Sequence, residues 1–168
     1  SKISANLPTE KIILGIDPGT TIMGFGLIEV TNGQMRLIQM DELILKKYDD
    51  HYLKLRKIFE RTIQIIDHYH PDEIAIEAPF FGKNIQSSLM KKLVESKVQK
   101  IYIALDNDAI SKALGFCEQL LDIGKEVYLV ELEGKDPSEM GFENFTKLIQ
   151  TVSPLTQYKL MEKKLFTL

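Results

Sequence analysis

Apolar and polar positions along this chain follow first one period and then another. From Lys11, "KIILGID" is a nearly continuous apolar run, the pattern of a strand buried on both faces, and "PGT" turns the chain after it. "IMGFGLIEV" (22–30) and "QMRLIQMDELIL" (34–45) read as two further strands. Thr31-Asn32-Gly33 separates them, and its Asn-Gly pair is a strong signal for a two-residue hairpin. Three strands joined by tight turns predict an antiparallel meander. After Asp49-Asp50 the period changes. Tyr52, Leu55, Ile58, Phe59, Ile63, Ile66 and Tyr69 recur at three- and four-residue spacing, which predicts the clearest helix in the chain, stopped by Pro71.

Strands and helices then alternate. "EIAIEA" (73–78), "KIYIALD" (100–106) and "EVYLVEL" (126–132) read as strands, and 84–97 and 109–123 as helices, the second closed by Gly124. Asp136, Pro137 and Glu139 have the form of an N-cap, a first helical residue and a capping box, opening one or two short helices to about Val152. Residues 1–10 are polar and unpatterned and are expected to be disordered or an expression remnant, and 153–168 a weakly patterned tail. The order βββαβαβαβα, with right-handed parallel crossovers, predicts an α/β fold. Meander and parallel strands would share one mixed sheet, with helices on its faces, in a single domain over 11–152.

Composition changes this picture little. The 168 residues, 44% hydrophobic and 27% charged, suit one domain with a sizeable core. No apolar stretch approaches the roughly 20 residues that cross a bilayer, and the first residues lack a signal-type run, so a cytoplasmic protein with no membrane partner is expected. The one cysteine, Cys117, excludes an internal disulfide framework; in step with Ile110, Ala113, Leu114 and Leu121 it reads as core. A net charge of −3 does not advertise a nucleic-acid binder, and Lys46-Lys47, Lys91-Lys92 and Lys163-Lys164 read as solvated surface. A cluster of catalytic carboxylates would itself lower the net charge.

Such a cluster is suggested by where the acids fall. Asp17 stands in the middle or at the end of the first strand, Glu77 ends the fourth and Asp106 the fifth, and these three strands are the expected parallel neighbours. Ligands of open α/β sheets gather outside the carboxyl ends of parallel strands, so three carboxylates would converge there, with Asp108 beside them. Like charges that close need a counter-cation, and hard oxygen donors without His or Cys suit Mg²⁺ or Mn²⁺. Other readings stay open. Asp108 fits the N-cap of a helix starting at Ala109, and Asp106 a solvated acid at a strand end. Asp17 and Glu77 follow apolar runs in which carboxylates rarely stand without a partner. His68 and His70 flank Tyr69 at a helix end, where positive charge is favourable without any metal.

"ILGIDPGTTIMGFGLIEV", the helix after "KKYDDHYLKL" and "PDEIAIEAPFFGKNIQSSL" together closely resemble the RuvC family of Holliday-junction resolvases, over about residues 11–89. The resemblance implies an RNase H-like fold and a dimer, with Asp17 and Glu77 at two of the family's metal-binding catalytic acids. Phe80 falls where the family places an aromatic that works on the junction. Past Leu89 the family's glycine- and arginine-bearing helix and its C-terminal helix are absent. Residues 90–152 are instead similar to the later part of a TOPRIM domain of phage-type DNA primases. That likeness lies in Asp106-Asn107-Asp108, as a paired-acid metal motif, and in "GKDPSEM". The two resemblances together imply a chimera or fusion.

The function expected on this basis is a divalent-metal-dependent endonuclease acting on branched or structured DNA. Asp17, Glu77 and Asp106 would be catalytic, holding Mg²⁺ or Mn²⁺ with help from Asp108; Phe80, Phe81, Lys83 and Asn84 would contact DNA, and the protein would act as a homodimer. The competing reading is an inactive chimeric α/β scaffold with at most weak metal or DNA binding. An actin-like ATPase loop at "GIDPGTT" is set aside, because such enzymes need a second phosphate loop and a second domain.

Overall fold

The computed structural model describes residues 10–78, 87–105, 110–132 and 142–167. Three strands come first: β1 (Glu10–Pro18), β2 (Ile22–Thr31) and β3 (Gln34–Ile44). Helix α1 (His51–Tyr69), β4 (Glu73–Ala78), α2 (Ser87–Glu95), β5 (Lys100–Leu105), α3 (Ile110–Asp122) and β6 (Glu126–Glu131) follow. Helices α4 (Phe142–Thr151) and α5 (Gln157–Phe166) come last. The strands form one sheet in the order β3-β2-β1-β4-β5-β6, antiparallel within the meander and parallel from β1 through β6. The mixed α/β sheet expected from the sequence is therefore the fold.

Local chemistry explains the joints. Asn32 and Gly33 both have positive φ, 53° and 77°, as a type I′ hairpin requires. Asp50 caps α1 by accepting the Tyr52 N–H at 2.8 Å. At the other end His70 turns left-handed ahead of Pro71, and its N–H donates to Ile66 O. His70 is thus a helix terminator. Gly124, with φ of 82°, closes α3 as expected.

Strand register sorts side chains onto two faces. Leu14, Leu27, Ile74, Ile101 and Val127 lie in one row, and Ile16, Phe25, Ile76, Ile103 and Leu129 in the next. These rows join Ile58, Phe59 and Ile66 of α1, Leu89 and Leu93 of α2, and Leu114, Cys117 and Leu120 of α3 in one core. The opposite face is different. Gly15, Gly24, Gly26 and Ala75 leave it without bulk, so among the described residues β1 is fully buried on one face, and not on both as its apolar run predicts.

The C-terminal segment also departs from the sequence reading. Residues 153–168 were expected to be a tail, but α5 forms there, capped by Thr156 accepting the Lys159 N–H. Leu160 is buried against α3, and Lys164 pairs with Glu118 of α3 at 2.5 Å. Its polar and apolar positions do not separate onto two faces, because Tyr158, Met161, Leu165 and Phe166 stay exposed. Residues 1–9 and the predicted Asp136-Pro137-Glu139 cap lie outside the described residues.

Candidate functional site

The bare face of the sheet holds an open cavity of about 880 Å³. Its floor is Gly15, Gly24, Gly26, Ala75 and Ala104, and acids stand at one end of it. Ile16 pairs with Ile76 across the parallel β1–β4 ladder, so Asp17 and Glu77 occupy the next rung. Both belong to the alternation set that faces the cavity, and both line it. Asp17 is exposed and Glu77 half-buried. Adjacent strands are about 4.8 Å apart, which brings the two carboxylates within reach of a shared cation.

The turn behind Asp17 fixes its position. Gly19 N–H donates to Asp17 O at 3.2 Å as the chain reverses into β2. A Cβ on Gly19 would lie 2.2 Å from Ile22 O, so only glycine fits the close approach. Across β1 the Cα partner of Asp17 is Gly24, whose lack of a side chain leaves the space beside the carboxylate open.

Two further described acids, absent from the sequence reading, line the cavity: Asp41 and Glu42 of β3. Glu42 pairs with Gly24. Counting back from the Asn32-Gly33 turn assigns Asp41 to that place. A bulge between the Leu27 and Ile28 pairings, which leaves Ile38 unpaired, shifts the register by one and brings Glu42 there instead. Among the described residues no three His, Cys, Asp or Glu side chains come close enough to hold an ion together. Asp17 and Glu77 lie on adjacent strands, whereas Glu42 lies on β3, two strands from β1. Asp106, Asp108, Phe80, Phe81, Lys83 and Asn84 lie outside the described residues.

The other side of the cavity is aromatic. Lys100 and Glu126 are in register across β5 and β6, which sets Tyr102 and Tyr128 two residues on as neighbours. Their rings stack at 4.5 Å with an interplanar angle of 11°. The Tyr128 hydroxyl donates to the Glu126 carboxylate, and that bond, then burial, raises its pKa above the ordinary phenol value. Burial, then the Glu73 and Glu126 charges, raises that of Tyr102. The rings are therefore neutral. At the foot of the face Lys11 Nζ pairs with Glu73 at 3.0 Å.

Cys117, by contrast, belongs to the core. It is fully buried, and burial pushes its thiol up to about 12, which leaves it inert. No helix among the described residues is long and apolar enough to cross a membrane.

The family model of the crossover junction endodeoxyribonuclease RuvC matches residues 13–111. The match runs beyond residue 89, where the sequence reading ends that resemblance, and takes in β5 and Asp106 to Asp108. A RuvC from Christiangramia forsetii is 75% identical over 83 residues, covering 49% of this chain and 43% of that protein. One from Bacteroides fragilis is 54% identical over 99 residues, covering 59% and 52%. The chain spans about half the length of these relatives. Among solved structures, T. thermophilus RuvC in complex with Holliday junction substrate aligns over 86% of this chain and 99% of that one, at 18% identity and a TM-score of 0.44.

Proposed function

The chain belongs to the RuvC family of crossover junction endodeoxyribonucleases, and from that premise we propose that it is a divalent-metal-dependent endonuclease of branched or structured DNA. The observation that carries the reading is the rung formed by Asp17 and Glu77, two carboxylates at neighbouring parallel strand ends on one open face. Mg²⁺ is held in many sites by one or two carboxylates together with substrate phosphate oxygens and water, and this donor set fits that habit. Mn²⁺ takes the same oxygen donors.

In this proposal Asp17 and Glu77 hold the cation, and Asp106 is the third acid. It directly follows Leu105, the last residue of β5. When bound, the metal supplies an activated water and neutralises charge at the cleaved phosphate. The protein's own work is positional. The strand ends fix the carboxylates, the Gly19 turn and bare Gly24 leave room for a phosphate, and the floor of small residues admits the strand. Asp108 assists, and Phe80, Phe81, Lys83 and Asn84 contact the DNA. The likeness to a TOPRIM domain rests on Asp106-Asn107-Asp108 and the Lys135-Asp136-Pro137 segment, and it assigns the same metal role to Asp106 and Asp108. The homodimer implied by the family resemblance is part of the proposal, checked by sedimentation of the free protein.

The test is Mg²⁺- or Mn²⁺-dependent cleavage of a labelled four-way junction, beside linear duplex and single strand, by the parent chain and by Asp17→Asn, Glu77→Gln and Asp106→Asn. The expected result is cleavage of the junction that each substitution abolishes. No cleavage by folded parent protein overturns the reading and leaves the inactive scaffold.

A further inference from the structure

The cavity below the acid pair has a wall that the proposed chemistry leaves unused. Tyr102 stands half-buried in the middle of β5 with one face of its ring stacked on Tyr128. Tyr102 lines the cavity, whereas Tyr128, 8% exposed, does not. The uncovered side of the Tyr102 ring therefore borders the open space above β4 and β1. Its Cα partner on β4 is Ala75, and the partner of Ala75 on β1 is Gly15, so among the described residues the neighbouring strand positions carry no bulk that rises over the aromatic face. Tyr128 in turn is tied by its hydroxyl to Glu126, which stiffens the backing.

An aromatic plane that is neutral, braced from behind and open in front is suited to a flat partner with a π-face. The position narrows the choice. Glu77 lies two residues beyond Ala75 on β4, about 7 Å along the strand, a separation comparable to that between a nucleotide's phosphate and its own base. Acids at the rim repel a bare anion, but a strand whose phosphate is bridged by a cation would extend its uncharged base towards the tyrosine. We propose that Tyr102 is a base-stacking residue, which receives an unpaired nucleobase of the strand whose phosphate lies at Asp17 and Glu77. This rests on the reading of the chain as a DNA-binding nuclease and adds to it a selection for unpaired nucleotides, because a base held in a duplex stack cannot present its face to Tyr102.

The experiment uses a four-way junction with 2-aminopurine at each nucleotide flanking the exchange point in turn, with binding read in Ca²⁺ and cleavage in Mg²⁺. With the parent chain and with Tyr102→Phe, one 2-aminopurine position is expected to be quenched by stacking. Tyr102→Leu, which keeps apolar bulk and loses the π-face, is expected to abolish that quenching and weaken binding roughly tenfold. Equal quenching and affinity in Tyr102→Leu overturn the proposal while the nuclease reading stands. Tyr102-dependent quenching without cleavage supports stacking and sinks the nuclease reading. No binding by folded parent protein overturns both. Should Tyr102→Leu lose its fold by circular dichroism, photocrosslinking of the parent chain to 5-iododeoxyuridine at the same nucleotide decides. An adduct on the tryptic peptide 101–112, which contains Tyr102, supports the proposal, and adducts only elsewhere overturn it.

Discussion

At the residue level, the two acids of the proposed site are separable from the fold. Asp17 is exposed and faces Glu77 across one rung, so removing one of two like charges relieves a repulsion of about 0.2–1 kcal/mol. In urea without divalent cation, Asp17→Asn is therefore expected to be at least as stable as the parent. Its junction cleavage falls about a hundredfold or more, the scale of several kcal/mol of metal assistance. Gly19→Ala reverses that pattern. Its Cβ collides with Ile22 O, costing about 1–3 kcal/mol by denaturation and shifting the turn that holds Asp17. A displacement of about 1 Å at such a site costs on the order of a hundredfold in rate. Asp17 and Glu77 were legible in the sequence because a carboxylate closing an apolar run contradicts its surroundings. Glu42 was hidden by the single unpaired residue Ile38, since a bulge leaves no mark in composition yet exchanges the two faces of everything beyond it. Tyr102 and Tyr128 were within reach, being third in "KIYIAL" and third in "EVYLVE", but only the in-register pairing of those strands makes them neighbours.

Among the elements, the two that close the core carry opposite lessons. Helix α3 was readable from spacing, and its buried Cys117 makes stability pH-dependent. The unfolded thiol ionises from about pH 9, whereas the folded one stays protonated to about pH 12. The folded state thus holds the proton longer, and stability is full below pH 9. It falls as pH rises through that window, by up to about 1.4 kcal/mol per unit. In denaturation series from pH 8 to 11, Cys117→Ala is expected to start less stable and to lose less with rising pH. Helix α5 was missed because Tyr158, Met161, Leu165 and Phe166 remain exposed while a different position, Leu160, is buried. The periodicity of the sequence therefore does not report the packed side. Leu160→Ala is expected to cost about 2–5 kcal/mol by urea denaturation, and Met161→Ala to remain within about 0.5 kcal/mol of the parent.

For the molecule as a whole, the uneven faces of the sheet decide what it can do. Among the described residues, one face carries α1, α2, α3 and the core, and the other keeps its glycines and alanines along a cavity bordered by carboxylates and by Ile149 of α4. The register of the meander fixes where β1 ends, and the parallel crossover fixes where β4 ends, so fold and acid pair are one arrangement. Neither half of the sheet holds both carboxylates. Metal binding should therefore be linked to global stability, because the unfolded chain has no reason to keep positions 17 and 77 together. Free Mg²⁺ at ten times its dissociation constant stabilises by about 1.4 kcal/mol, which for a chain of this size raises the melting temperature by roughly 3–6 °C. That rise should follow a saturating curve in Mg²⁺ and be matched by Mn²⁺. It should vanish in Asp17→Asn and in Glu77→Gln, while Asp122→Asn, an acid on α3 outside the cavity, leaves it intact. Calorimetry without any DNA gives the answer, and a rise that survives both site substitutions would place the cation elsewhere and dissolve the proposed centre.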